Sequence, residues 1–403
     1  MKITKTILML IFLIIILIYV SCIDSIPKSI LLLDGEKLNV ATILGVNIKE
    51  KNNEYTTIQT SSNINNNSLK QTTAEVNLFN TIKVKEIDVN TIPSTRIVPL
   101  GNVIGLKLYT NGVLVIGKTE IQGQKPYENT SIEEGDMIIE IDEKTVTCTA
   151  DLVEFVNESN GNNIKVTYIK DGETVSENMK PAKNQKNEYK LGLWVRDGAA
   201  GIGTITYYDP ETKQFSALGH GITDIDTEKL IKIASGEIVT STISSIQKGE
   251  ENKPGQIKGG IAYGKKIGII DNNTEFGIYG KLTDTTSVSL NENNSVEVAS
   301  RDEIEKGPAK VILTLENDIR KEYDIEIKKV YKNNNYNNKS MLIEVKDEEL
   351  LQLTGGIIQG MSGAPIIQNG KLIGAVTHVL VSDPTSGYAV FGDLMIKEMK
   401  KID

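Results

Sequence analysis

The stretch Thr354-Gly355-Gly356-Ile357-Ile358-Gln359-Gly360-Met361-Ser362-Gly363-Ala364-Pro365 decides how this chain is read. Its centre is Gly360 to Pro365, a serine between glycines followed by a small residue and a proline. Glycines let the backbone turn tightly and come close to a carbonyl under attack. A serine presented in this way exposes its Oγ, while the N–H groups of Gly360, Met361 and Ser362 are placed to form an oxyanion hole. Ile366-Ile367-Gln368 then reads as a strand, Asn369-Gly370 as a type I′ hairpin turn, and Lys371 to Val381 as the returning strand. Ser-Gly pairs also occur in ordinary turns, so a loop without chemistry is the plainer alternative.

A serine nucleophile needs a base, and the chain has only two histidines, His220 and His378. His220 stands in Gly219-His220-Gly221, at the end of a strand predicted from Gln214 to Gly219. A histidine between glycines is sterically open to a partner from elsewhere, which makes His220 the candidate base. Nucleophile loop, hairpin and then Gly374-Ala375-Val376-Thr377-His378 is similar to the active-site layout of chymotrypsin-like proteases. In that layout Thr377, His378 and Val379 wall the first specificity pocket, where His378 can donate to a polar side chain. A structural histidine on a buried strand is the alternative. Spacing leaves the acid open: Asp224 and Asp226 follow His220 closely, and Asp271 is a further candidate.

The surrounding pattern is β. From Tyr189 onward, short strands alternate with Gly, Asn and Pro turns, including Ala309 to Leu315, Tyr323 to Tyr331 and Met341 to Lys346. Asp347 to Leu353 reads as a brief helical turn capped by Asp347, and Val390 to Lys401 as a terminal helix.

Composition narrows the function classes. The 403 residues suffice for two or three domains, and the net charge of −9 without a basic stripe argues against nucleic acid. The two cysteines, Cys22 and Cys148, lie too far apart in sequence to suggest a disulfide framework. Without a Cys/His cluster no metal is expected, and nothing calls for a cofactor.

At the N-terminus, Lys2 and Lys5 precede an unbroken apolar run, Ile7 to Val20, followed by Ser21 and Cys22. That fits a signal anchor or a cleaved signal peptide over residues 1–25, and either places the rest of the chain across a membrane. Ile30 to Leu33 and Val40 to Val46 suggest strands, whereas the Asn-rich Lys51 to Thr73 reads as a linker. Between Val98 and Lys183, Thr130-Ser131-Ile132-Glu133-Glu134-Gly135-Asp136-Met137-Ile138-Ile139-Glu140-Ile141-Asp142 resembles the most recognisable part of a PDZ domain. Ala150 to Asn157 reads as its groove helix, and Asp171-Gly172 as the turn of its closing hairpin. Such domains add a peptide as an extra strand, and Ile104, Gly105, Leu106, Lys107 and Leu108 are the candidate binding edge.

Three segments together resemble the SpoIVB peptidase family of endospore-forming bacteria. They are Ala217 to Thr227, Thr354 to Pro365, and Gly374 to Val379 with Asp383-Pro384-Thr385-Ser386-Gly387-Tyr388. The resemblance implies a Ser-His-Asp serine peptidase with Ser362 as nucleophile and His220 as base. The family's acid lies fifteen residues before its serine, which implies Asp347 here. Relatives often carry Ser where this chain has Ala364. Members cleave themselves in the N-terminal part. They also cut a membrane-bound regulator of an intramembrane metalloprotease, in the space between the forespore membranes, which triggers sigma-factor processing.

The expected fold is mainly β with a small α/β module. Residues 1–25 form a signal anchor or signal peptide, 26–96 an N-terminal region with the linker, 97–184 a PDZ domain, and 185–403 a double β-barrel peptidase domain. The expected partners are a protein substrate, a PDZ-bound peptide (its own N-terminal region among the candidates) and the membrane. An exported PDZ scaffold without catalytic activity is the rival reading.

Overall fold

The computed structural model describes residues 2–36, 38, 46–50, 56–57, 69–261, 264–315, 319–333 and 337–401. Two closed β-barrels hold the site. The first ring runs Val103–Lys118, Ile233–Thr240, Lys266–Thr274, Gly277–Leu282, Gln214–Ala217 and Leu193–Tyr208, and closes where Leu193–Tyr208 pairs with Val103–Lys118. The second runs Gly307–Leu313, Lys321–Val330, Met341–Val345, Asp383–Phe391, Lys371–Leu380 and Pro365–Gln368, and closes on itself. Its strands follow the two-residue period of a sheet buried on one face. Tyr323, Ile325 and Ile327 fill the interior, and Glu322, Asp324 and Glu326 alternate with them toward solvent. Val311, Leu313, Ile343 and Val345 meet them in the same core.

Helix α1 covers Lys2–Ser25, α2 Thr149–Glu158, α3 Glu348–Thr354 and α4 Gly392–Met399. Helix α4 ties the barrels together through buried charges. Arg301 forms a bidentate pair with Asp393 at 2.8 and 3.0 Å and lies over the Phe391 ring. Just past the helix, Lys400 meets Asp209 of the first barrel at 3.5 Å. The helix begins later than the sequence suggests, because Val390 and Phe391 complete the strand Asp383–Phe391.

The PDZ module is built from Met137–Ile141, α2, and the hairpin Ile164–Lys170 with Glu173–Met179, around Val113, Val115, Ile138, Leu152 and Val166. Val103–Lys118 is one continuous strand. Its first half belongs to the barrel and its second half to the PDZ sheet, so the module grows out of the peptidase fold. The N-terminal sheet joins Ser29–Leu33, Val46–Glu50, Lys70–Leu78 and Ile82–Ile92. Lys70 to Thr73, expected in the linker, start one of these strands, with Ala74 and Val76 buried below them. Residues 40–45, and residues 51–55 and 58–68 of the Asn-rich segment, lie outside the described residues.

Candidate active site

Two glycine corners, one from each barrel, meet at Ser362. Gly363 has φ +98°, and a Cβ there would stand 2.0 Å from the Thr204 carbonyl oxygen and 2.5 Å from the Leu218 nitrogen. Gly219 has φ +68°, and its Cβ would stand 3.1 Å from the Thr377 methyl group. Only glycine allows this approach, and it brings the Leu218-Gly219-His220 corner against the serine loop. The Ser362 hydroxyl donates to the Thr377 carbonyl at 2.7 Å. The next residue, His378, holds its ring 5.0 Å from the ring of His220. Serine and both histidines, scattered over 158 positions of sequence, thus share one corner.

The loop itself is clasped by the first barrel. Thr204, fully buried, donates its N–H to the Ser362 carbonyl at 2.9 Å and its hydroxyl to the Gly360 carbonyl at 2.7 Å. Gly363 N–H donates to Val376 at 2.8 Å, and Ala364 N–H to Met361 at 2.9 Å. Met361 N–H is taken by Ile358 at 3.1 Å, and its side chain lies in the barrel core. This corrects the expectation for Met361, whose N–H is not free for an oxyanion. The N–H groups of Gly360 and Ser362 have no acceptor among the described residues. Sequence reasoning missed Thr204, because a threonine on a strand carries no signal until its partner loop is known.

His220 presents a ring with one defined tautomer. His220 Nδ1 lies 2.9 Å from the Gly221 carbonyl oxygen. A carbonyl only accepts, so Nδ1 carries the proton in the neutral ring and Nε2 keeps its lone pair. Burial holds the His220 pKa below its ordinary value, against a smaller upward pull from the Gly221 carbonyl. Burial also pushes His378 down, to about 4, with further help from the neighbouring His220 and Lys339. His378 Nδ1 is buried without a partner among the described residues. Both rings are therefore neutral near pH 7.

The acid expected at Asp347 is elsewhere. Its carboxylate caps α3, accepting from Leu350 N–H at 3.0 Å, and also accepts from Asp324 N–H at 3.3 Å. His378 pairs with Tyr388, and Tyr388 with Leu342. Asp347 lies five residues beyond Leu342, roughly 16 Å farther along the wall at about 3.3 Å per residue. No carboxylate among the described residues hydrogen-bonds to His220 or pairs with it. Asp224 is buried and holds the turn after His220, accepting from the N–H groups of Asp226 and Thr227 and from Arg196. Burial pushes its pKa up, but these donors outweigh it and leave it below the ordinary value. Asp226 also pairs with Arg196, at 2.8 Å, and Asp271 is exposed.

The pocket and groove expectations are changed by packing. Thr377 turns its hydroxyl inward, to the Asn338 carbonyl at 2.9 Å and the Tyr388 carbonyl at 3.2 Å. Val379 packs against the barrel core, and His378 faces His220. Ile104 to Leu108 does not offer a free edge: it pairs with Ala199 to Gly203 on one side and Gly236 to Thr240 on the other. Ile104, Leu106 and Leu108 are buried in the first barrel. The position beside α2 is also filled, since Leu193 and Val195 pack into the PDZ core and Thr149 N–H donates to Asp197 at 2.7 Å.

Two family models match the chain. The family model for the SpoIVB peptidase S55 matches residues 187–396, and that for a PDZ domain residues 100–180. No curated protein matches the chain. Among solved structures, the PDZ domain of an SdrC-like protein from Listeria monocytogenes aligns at 18% identity and a TM-score of 0.19, covering 21% of this chain and 87% of that one. With more than half of its length matched, and with the serine and histidine corners joined inside that match, the chain belongs to the SpoIVB peptidase family and is a serine peptidase carrying a PDZ domain.

Proposed function

We propose that this peptidase is a sporulation endopeptidase in which Ser362 is the nucleophile, His220 the base, and the Gly221 carbonyl the group that orients the base. The observation that carries the residue roles is the packing of the Gly219-His220 corner against Gly363 and Thr377 around Ser362. The Ser362 hydroxyl turns from the Thr377 carbonyl toward His220 Nε2. Oγ then attacks the peptide carbonyl carbon while Nε2 takes the hydroxyl proton. The oxyanion is held by the N–H groups of Ser362 and Gly360, each worth on the order of 2.7–4 kcal/mol in the barrier. Collapse breaks the C–N bond, and His220 returns the proton to the departing amine. Water, deprotonated by the same histidine, then hydrolyses the acyl-enzyme.

Its substrate is a membrane-associated regulatory protein in the space between the forespore membranes, besides its own N-terminal region. Membership of the SpoIVB family supports this reading. So does α1, whose Ile7–Ser25 segment is long and apolar enough to cross a membrane and is exposed along Ile7 to Ile18. The same length and composition also fit a signal sequence. Packing of Tyr19 and Ile23 of α1 against the core of Ile26, Val46, Val76 and Ile87 supports retention of the helix. N-terminal sequencing of mature forms from wild type and Ser362→Ala tests the reading. Trimming that persists in Ser362→Ala sinks it. A fluorophosphonate probe should label Ser362 and lose that labelling in His220→Ala.

A further inference from the structure

At the foot of α1, the turn between Lys70–Leu78 and Ile82–Ile92 sets an exposed Phe79 beside Asn80 and Thr81, with exposed Ile82 and Val84 following it. Phe79 and Asn80 have φ of +52° and +60°, the tight geometry of a two-residue hairpin. Phe79, Ile82 and Val84 are exposed by 60%, 58% and 37%, although they lie at one tip. The outward positions along the second strand read Ile82, Val84, Glu86, Asp88. The opposite positions bury Ile87 and Val89 in the sheet core. The outer face therefore changes from apolar to acidic with distance from the tip. A soluble hairpin has no reason for that gradient.

The tip is fastened to the apolar helix. The Phe79 ring lies 6.1 Å from the ring of Tyr19. Tyr19 is six residues before the end of α1, so the contact sits roughly 9 Å up the helix at about 1.5 Å per residue. Lys85 donates to the carbonyls of Ile23, at 3.2 Å, and Ile26, closing the end of α1 onto the sheet. Ile23 and Tyr19 pack against the same core. The orientation of the hairpin relative to α1 is thus set by side chains from both.

We infer that the Phe79–Val84 hairpin tip is a second membrane contact, seated in the lipid interface beside α1. This rests on the reading that α1 remains in the bilayer. Tyr19 and Phe79 then form an aromatic pair at the boundary between hydrocarbon and headgroups, where such rings are favoured. Ile82 and Val84 enter the same layer. Lys83 lies at headgroup level with its ion-pair partners Glu86, at 2.6 Å, and Glu75, at 3.0 Å, and Asp88 stays clear of it. Two contacts fix how the protease stands on the membrane, where a lone helix followed by a flexible chain leaves it free to rotate.

The test uses the full chain in lipid nanodiscs. Exposed Trp194, the one tryptophan, is first replaced by phenylalanine to clear the background. Phe79→Trp and, separately, Leu13→Trp then report depth through quenching by brominated lipids and by aqueous iodide. In the Phe79→Trp protein, the expected result is blue-shifted emission, quenched by lipid brominated near the headgroup and shielded from iodide. Emission of the Leu13→Trp protein should be quenched by lipid brominated deep in the chain. Quenching of the Phe79→Trp protein by iodide alone, with the Leu13→Trp protein still quenched by lipid, overturns the inference and leaves the membrane anchor standing. Failure of bromolipid to quench either protein overturns both.

Discussion

The rings of His220 and His378 face one another at 5.0 Å with their planes tilted by 38°. Burial lowers both pKa values, and His220 further disfavours a charge on His378. The base proposed at His220 is thus kept in the form that can accept a proton.

Activity should therefore persist to lower pH than an ordinary histidine permits. The acid limb of kcat/KM on a peptide substrate should fall below pH ~6.5, the usual histidine value. A limb above that pH contradicts the buried neutral base.

Stability should follow the same pair. His378 has a folded pKa of about 4, so between that value and the ordinary one the unfolded chain binds more protons. Stability is then full above the ordinary histidine pKa and is lost as pH falls toward 4. Urea midpoints measured across this window should fall in wild type and flatten in His378→Asn.

Asp347 separates a cap from a catalytic acid. Asparagine caps a helix as well as aspartate, so Asp347→Asn should keep kcat close to wild type, and Asp347→Ala should lose about 1 kcal/mol of stability. A triad acid changed to its amide loses about 10⁴-fold in kcat. Steady-state rates and thermal melts of both variants decide between them.

Thr204 holds the nucleophile loop from the opposite barrel. Thr204→Val removes the hydroxyl that bonds to Gly360 and leaves a buried carbonyl unsatisfied, at a cost of about 1–3 kcal/mol. The loop carries Ser362 and an oxyanion donor, so kcat should drop more than KM changes. Equal kinetics with lowered stability would reduce Thr204 to a structural role.

Gly363→Ala should abolish activity, because its Cβ would meet the backbone of Thr204 and Leu218. Loss of fluorophosphonate labelling with a retained far-ultraviolet β signal would locate the damage at the meeting of the two corners.

Much of this was legible from local pattern. Period-two alternation in Tyr323 to Val330 announced a half-buried strand, and Asn369-Gly370 a hairpin. The Gly-Asp turn at Gly135-Asp136 marked the PDZ module, and the apolar run marked α1. Asp347 was legible as a cap from its place before an apolar turn, and the structure gives it that role. Its second, catalytic assignment rested on a family interval, which counts residues and not ångströms.

By itself the sequence determined the strands, the turns, the nucleophile loop and the glycine-flanked histidine, because these follow from side chains a few residues apart. The tertiary structure alone decided which groups meet. Barrel closure set the register that carries Asp347 away from His220 and brings His378 toward it. Continuity of Val103–Lys118 through barrel and PDZ sheet closed off the edge at Ile104 to Leu108. The approach of the barrels gave Ser362 its clasp from Thr204. Strand pairing joins residues far apart in the chain, and shifting a register by one residue reverses which side chains face the core. No short window of sequence holds that information.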